Sequence, residues 1–457
     1  MKVHILGICG TLMGSIALLA RELGHDVTGS DENVYPPMSD LLAGAGITVS
    51  EGYRAEGIPA DTELVVIGNA NLPRGNPAVE AVLDRGIEYT SGAEWLGRYL
   101  LRDRWVIAIS GTHGKTTTTS MVAWILEYAG MSPGFLVGGV PGNFKESARL
   151  GETPFFVIEA DEYDTSYFDR RSKFLHYHPR TLVIGNLEYD HADIFENLAQ
   201  IQYQFHLLLR TVPGSGLVIH PLADPNVNAV LDKGCWTPRF TVDRDDPAAD
   251  LRAELEREDA SRFTVVLGET RAPVDWQLGG LHNVSNALAA IAAARHVGVT
   301  IDVAAAALSQ FKGVKRRMEK IFESPSVSVY DDFAHHPTAI ATTLEGLRRH
   351  VGSEPILAII EPASHTMRKG THAATLARSA ACADRVIWFR PQRVSWDMGA
   401  LVESGRSEVQ DDIDATLDVI MGNIERGARH VVIMSNGGFG GIHRKLLERL
   451  GHRIAGD

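Results

Sequence analysis

The sequence predicts an α/β protein made of three doubly wound units in series, and three features predict it. Short β-branched runs alternate with helical stretches along the whole chain, the signature of βαβ units feeding parallel sheets. The 457 residues suit two to four domains, most simply three, at roughly 100–200 residues each. No fixed-period repeat or low-complexity tract interrupts the alternation.

The first unit is read as residues 1–104. Val3 to Leu6 is a short apolar strand, followed by the turn Gly7-Ile8-Cys9-Gly10 and a helix through Arg21. Further strands run from Asp26 towards Asp31, over Leu64 to Ile67, and from Gly86 to Tyr89. Arg102-Asp103-Arg104 is a charged hinge. The second unit, 105–314, opens on the strand WVIAIS, a Gly-rich loop and a helix over Thr116 to Tyr128. Strands follow at Phe155 to Ile158, Leu182 to Ile184 and Leu217 to Ile219. The charge-rich stretch from Asp243 to Arg271 is expected to be a peripheral hairpin, and the Ala-rich helix Asn283 to His296 to be buried. The third unit, 315–457, has strands at Val327 to Tyr330, Ile356 to Ile360, Arg385 to Phe389 and His430 to Met434, and a terminal helix over Ile442 to Leu450.

Composition narrows the function. A hydrophobic fraction of 44% with 22% charged residues is that of an ordinary globular protein. The formal charge, 44 − 57 = −13, argues against non-specific nucleic-acid binding, which needs surplus Lys and Arg against phosphate. It leaves anionic small molecules open, because backbone N–H groups at a helix N-terminus bind phosphate whatever the net charge. Cys9, Cys235 and Cys382 are too far apart for a disulfide framework or a CxxC metal site, which suggests a reducing cytoplasm. The apolar start, MKVHILGICGTLMGSIALLA, is broken by glycines and lacks a basic leader, so it reads as strand, turn and helix. No stretch reaches the ~20 apolar residues of a membrane span.

The sharpest motif is Gly111-Thr112-His113-Gly114-Lys115-Thr116-Thr117, directly after a strand and opening a helix. Glycines let backbone N–H groups converge on phosphate, Lys115 brings a mobile charge to the β/γ-phosphates, and the Thr116 hydroxyl suits Mg²⁺. The loop is a shortened form of the full Walker pattern, with Ile109 where that pattern wants glycine. A second strand ends in Glu159-Ala160-Asp161-Glu162, with Asp164 nearby; Glu159 is an oxygen ligand of the kind Mg²⁺ favours. A third ends in Asn186-Leu187-Glu188-Tyr189-Asp190-His191, where His191 can hold metal or orient an amine. Asn283 and Asn286 have the donors and acceptors an adenine edge requires, and equally suit helix caps. Arg316 and Arg317 can clamp a transferring phosphoryl group, and Asp332, at a strand end, can accept ribose hydroxyls. His336, before Pro337, can be a cap neighbour. The Gly-rich loop Ser435 to Gly441 suits either substrate binding or positive φ. The first turn, Gly7 to Gly14, is a dinucleotide-like fingerprint of the wrong spacing; with Asp31 it makes a UDP pyrophosphate a natural ligand.

Taken together, GTHGKTTT, EADE, NLEYDHADIF, HNVSNALAA and DDFAHHPTAI resemble the Mur ligase family over nearly the whole chain. The resemblance implies a Rossmann-like N-terminal domain for the UDP substrate, a central P-loop ATPase domain and a Rossmann-like C-terminal domain closing over the site. It implies ATP and Mg²⁺, and amide-bond formation through an acyl phosphate. Gly111 to Thr117 would hold ATP; Thr116, Glu159 and His191 would hold Mg²⁺. Asn283 would meet adenine, Arg317 the phosphates and Asp332 the ribose. Gly10, Thr11, Met13, Asp31 and Asn69 would bind the UDP substrate. Lys115 and Arg317 would spread the charge of the reaction, with His191 and His335 the nominees for the amine's base. The stretches NVYPPMSDLL, EADEYDTSYFDRRSKFLHYHPRTL and MSNGGFGGIH resemble the branch that joins L-alanyl-γ-D-glutamyl-meso-diaminopimelate to UDP-N-acetylmuramate in peptidoglycan recycling; the alternative is the branch using free L-alanine. Ala363 stands where the former branch carries arginine, and Arg368 and Lys369 are the nearby cations able to replace it. The stretch Gln200 to Arg210 lacks the lysine that many relatives carry in carbamylated form. Outside the family, the rivals are a nicotinamide-dependent dehydrogenase and an ATP-driven switch protein.

Overall fold

Residues 1–35, 38–68, 72–392 and 394–454 are described by the computed structural model of the chain. They form three sheets, one after another along the sequence, plus a two-stranded hairpin.

The first sheet has five parallel strands in the order Thr48–Glu51, Asp26–Asp31, Lys2–Leu6, Leu64–Ile67, Glu88–Ser91. Chain direction across the sheet reverses beside Lys2–Leu6, so the Gly7 turn opens at a topological switch point, where open α/β sheets hold ligands. The edge strand Thr48–Glu51 was not anticipated. None of its four residues is fully buried, so no apolar run announces it.

The central sheet has ten strands. Its parallel heart is Leu217–Pro221, Thr181–Ile184, Trp105–Ser110, Phe155–Glu159 and Gly134–Leu136. Helices Lys115–Tyr128 and Leu281–His296 pack on one another beside it, the latter with nine buried residues including six alanines. The expectation of a peripheral hairpin over 243–271 is corrected. Leu251–Leu255, Arg262–Leu267 and Thr270–Asp275 form an antiparallel meander that extends this sheet. Leu251, Phe263, Val265 and Val274 are buried in the central core. Their period-2 alternation with charged residues disguised a half-buried extension of the main sheet as a separate peripheral hairpin.

The third sheet runs Glu319–Glu323, Ser328–Asp332, His430–Met434, Ile356–Ile360, Arg385–Phe389, Ser407–Gln410, with only the first strand antiparallel. The segments that follow its strand ends at Asp332 and Ile360 dock against the segment that follows the central sheet's Ile184. Polar contacts weld that interface. Thr366 Oγ1 donates to Asp190 at 2.9 Å and accepts from Ala192 N at 3.2 Å, and Lys369 Nζ donates to the Ala192 carbonyl at 2.9 Å. Thr338 Oγ1 donates to Glu188 at 2.8 Å. The hairpin Asp164–Ser166/Asp169–Ser172 carries Tyr167 and Phe168 onto the apolar surface of the first unit, with Phe168 edge-on to Tyr89.

Candidate active site

The strand Trp105–Ser110 ends in a loop whose glycines are required by geometry. Gly111 has φ +132° and Gly114 φ +78°, a region side chains rarely adopt. A Cβ on Gly114 would lie 2.5 Å from the Asn286 amide oxygen, and one on Gly111 would press on the backbone of Gly185 and Asn186. Asn186 stitches the loop from the neighbouring strand end, accepting from His113 N at 2.8 Å and donating to the His113 carbonyl at 3.0 Å. The helix then starts at Lys115, so its N-terminus points at the loop.

Lys115 is 11% exposed and donates to the Gly111 carbonyl at 2.7 Å and to Glu162 at 2.9 Å. Burial alone would lower its pKa; Glu162 and Asp161 outweigh burial and hold it raised, so the ammonium stays charged. Glu162, 1% exposed, also takes His191 Nε2 at 3.0 Å. His191 follows the same pattern: burial pulls its pKa down, and the Glu162 hydrogen bond and charge raise it on balance. His191 has φ +58°, a strained backbone for a non-glycine residue at the tip of a strand-end loop.

Beside this pair, Thr116 Oγ1 donates to Glu159 at 3.0 Å, and Arg317 stands 3.4 Å from the same hydroxyl. Glu159 also accepts from Gly138 N at 2.8 Å, and a Cβ on Gly138 would lie 2.8 Å from its carboxylate. Burial raises the Glu159 pKa. Arg317 is stacked 4.7 Å from the Phe333 ring centroid.

The expected metal residues thus fall into two adjoining groups. Thr116 and Glu159 are together; His191 is bonded to Glu162, and the donor atoms of Asp161, Glu162 and His191 lie within 4.8 Å of one another. Glu162 is the residue the sequence reading left without a role. Three carboxylates in four residues give no local signal for which one meets Lys115.

A cavity of about 1810 Å³ is lined by the phosphate loop, Asn283, Asn286, Arg317 and Asp332. Neither asparagine caps its helix, whose cap position is Gly280 with no side-chain hydrogen bond. Asn283 donates back to the Gly279 carbonyl at 2.8 Å. Asp332 lines the cavity, but both its oxygens accept backbone N–H groups, from Met318 and Ala334, each at 2.8 Å. Arg316 turns away from Arg317 and holds the glycine loop, donating to the Ser435 and Gly437 carbonyls at 2.7 and 3.0 Å. His335 is held by the Phe333 carbonyl at 3.0 Å; burial lowers its pKa to about 4, so it is neutral near pH 7. His336 is itself the cap, Nδ1 accepting from Thr338 N at 3.2 Å. Lys369 is engaged with Ala192, and Arg368 is the half-buried cation left beside Glu361.

In the first unit, Asp31 accepts from Cys9 N at 2.8 Å and Asn33 N at 3.0 Å, pinning the first turn. Gly10 and Thr11 are exposed at the start of the helix Thr11–Glu22. Met13 points into the core instead, 8% exposed and against Gly92. Asn69 lies outside the described residues.

Comparisons agree with this geometry. Three family descriptions match in succession: "Mur ligase family, catalytic domain" over 2–104, "Mur ligase middle domain" over 109–294 and "Mur ligase, glutamate ligase domain" over 316–437. The UDP-N-acetylmuramate–L-alanyl-γ-D-glutamyl-meso-2,6-diaminoheptandioate ligase of Escherichia coli (strain K12) is 52% identical over 98% of both chains. The crystal structure of a murein peptide ligase from Psychrobacter arcticus 273-4 superposes with a TM-score of 0.77 at 46% identity, covering 99% of each chain. The UDP-N-acetylmuramate–L-alanine ligase of Salinibacter ruber is 37% identical over 79% of this chain and 74% of its own. Sequence, fold and site geometry converge: the chain belongs to the Mur ligase family.

Proposed function

We propose that this chain joins the tripeptide L-alanyl-γ-D-glutamyl-meso-diaminopimelate to UDP-N-acetylmuramate at the expense of ATP, in the cytoplasm, as a step of peptidoglycan recycling. The observation that carries the choice of acceptor is the end-to-end identity of 52% with a tripeptide ligase, against 37% over 79% of the chain for a ligase using L-alanine. The division into units at 104/105 and 314/315 belongs to the same reading.

The donor set fits ATP and Mg²⁺. A hydroxyl and a half-buried carboxylate, Thr116 and Glu159, meet at the mouth of a glycine loop, the oxygen chemistry a hard divalent cation requires. When bound, the ion neutralises phosphate charge. Lys115, kept charged by Glu162, is placed to follow the γ-phosphate as the substrate carboxylate attacks it. Arg317, 3.4 Å from Thr116, reaches the same region from the C-terminal unit, so docking of that unit completes the charge clamp. The Thr366–Asp190 and Thr338–Glu188 bonds hold the units together while the acyl phosphate awaits the amine, excluding water that would hydrolyse it. His335, half-buried with its Nε2 4.0 Å from Asp190, is neutral near pH 7 and so offers an unprotonated ring nitrogen to the tripeptide's amine. His191, bonded to Glu162 and favouring its charged form, is less suited to accept a proton.

The test offers ATP, UDP-N-acetylmuramate and equimolar tripeptide and L-alanine to the full chain. The product mass identifies the acceptor. A product carrying only L-alanine would overturn the tripeptide reading.

A further inference from the structure

A second cluster of metal-ligand type stands where the units meet, apart from the Asp161, Glu162 and His191 group. His113 of the phosphate loop and Glu188 come from the central unit, and His336 from the C-terminal unit. His113 Nε2 lies 3.0 Å from Glu188 Oε2, and His336 Nδ1 lies 3.5 Å from the same oxygen. The three donor atoms all fall within 4.8 Å of one another. Two ligands on a tetrahedral zinc ion, with bonds of about 2.0–2.1 Å, sit roughly 3.3 Å apart. The observed separations of 3.0 and 3.5 Å bracket that edge.

Beside the three donor atoms, and distinct from them, stand ring nitrogens with nothing to bond. His336 is 6% exposed and its Nε2 has no hydrogen-bond partner; the same is true of Nε2 of His372, whose ring lies edge-on 4.5 Å from that of His336. Buried polar nitrogens in native proteins ordinarily find a partner. The present occupants of the site are Thr338, which donates its N–H to His336 Nδ1 and its hydroxyl to Glu188. Two or three imidazoles with one carboxylate favour a borderline transition metal over Mg²⁺, which prefers an all-oxygen shell.

We propose that His113, Glu188 and His336, with His372 as the nearby fourth imidazole, form a Zn²⁺-type transition-metal site that exists only while the central and C-terminal units are docked. An ion bound there links the phosphate loop directly to the C-terminal unit and opposes reopening, so it slows turnover by holding the docked state. The site stands on the cluster's own geometry, and only its effect on turnover rests on the ligase reading.

The test titrates the full chain with Co²⁺ as a spectroscopic stand-in and with Zn²⁺, Mg²⁺ being kept in large excess. The expected result is one ion per chain with tetrahedral Co²⁺ absorption, weakened at least tenfold in His336→Gln and in Glu188→Gln and retained in His191→Gln. Circular dichroism checks that each variant folds. A zinc-edge anomalous map of the unaltered chain gives a readout free of variants, with the peak expected between His113, Glu188 and His336. Binding that survives both substitutions, loss of binding in His191→Gln alone, absence of binding over Mg²⁺, or an anomalous peak only beside His191 would each overturn the proposal.

Discussion

Replacing Thr366 by valine tests whether docking of the C-terminal unit is part of catalysis. The hydroxyl is buried, 2% exposed, and makes two bonds across the interface: it donates to Asp190 Oδ1 at 2.9 Å and accepts from Ala192 N at 3.2 Å. Valine keeps the branched shape and removes both. Asp190 is 4% exposed and retains the His191 N–H at 2.7 Å. Its pKa is depressed: burial alone would raise it, and His191 and His335 outweigh burial. A hydrogen bond to a charged group contributes about 1.5–3 kcal/mol, and an orphaned buried N–H adds to the loss. A penalty of roughly 3 kcal/mol on docking follows, on the order of 100-fold in the docking equilibrium. The assay compares kcat/KM for ligation with the Kd of a non-hydrolysable ATP analogue. The expected outcome is a fall in kcat/KM approaching 100-fold, with nucleotide Kd changed less than about threefold, because the proposed reading has the central unit hold most of the nucleotide. Thr366→Ser keeps the hydroxyl and should recover most of the loss. Unchanged kcat/KM in the valine variant, or equal damage from serine, would refute the reasoning.

Other expectations follow from single residues. Gly114→Ala forces a side chain into φ +78° and places its Cβ 2.5 Å from Asn286, so nucleotide affinity should drop at least tenfold while far-UV circular dichroism is preserved. Asp332→Asn retains acceptor capacity at one oxygen only; with Met318 N and Ala334 N both depending on this carboxylate, the variant should lower Tm as well as raise the KM for ATP, whereas a pure ribose contact would move KM alone. His4 is fully buried between Thr28 Oγ1 and Ser30 Oγ, and burial lowers its pKa from 6.5 to about 4. The folded state therefore holds fewer protons than the unfolded state between those values. Its contribution is complete above pH 6.5 and is lost as pH falls towards 4, by about 2 kcal/mol at pH 5. Denaturant titrations at pH 7.5 and pH 5 should show this difference, diminished in His4→Asn.

What was legible in the sequence was what is local. The Gly-rich loop, its strand and its helix lie in one continuous segment, so the strand–loop–helix arrangement that brings Gly111, Lys115 and Thr116 together could be read from spacing. The carboxylates at the end of the strand Phe155–Glu159 were legible as a group but not individually. Whether Glu159 or Glu162 meets Lys115 depends on how the chain turns after the strand, and Glu162 takes the lysine while Glu159 takes Thr116. Arg316 and Arg317 look equivalent in sequence; the left-handed backbone at Arg316, φ +59°, sends the first to the Ser435 loop and leaves the second beside Thr116. Contacts between units left no trace at all. Thr366 and Asp190 are 176 residues apart, and nothing local in either segment encodes their pairing. Met13 misled because a residue in a glycine-rich first turn resembles a ligand contact, whereas the first helix turn rotates it into the core.

The central claim, that phosphate is loaded onto a carboxylate before the amine displaces it, is tested most directly by isotope transfer. UDP-N-acetylmuramate labelled with ¹⁸O in its lactyl carboxylate is ligated to the tripeptide with ATP, and the released phosphate is analysed by mass spectrometry. One ¹⁸O should appear in inorganic phosphate for each amide formed, with ADP as the co-product. Unlabelled phosphate, or AMP and pyrophosphate in its place, would contradict the account.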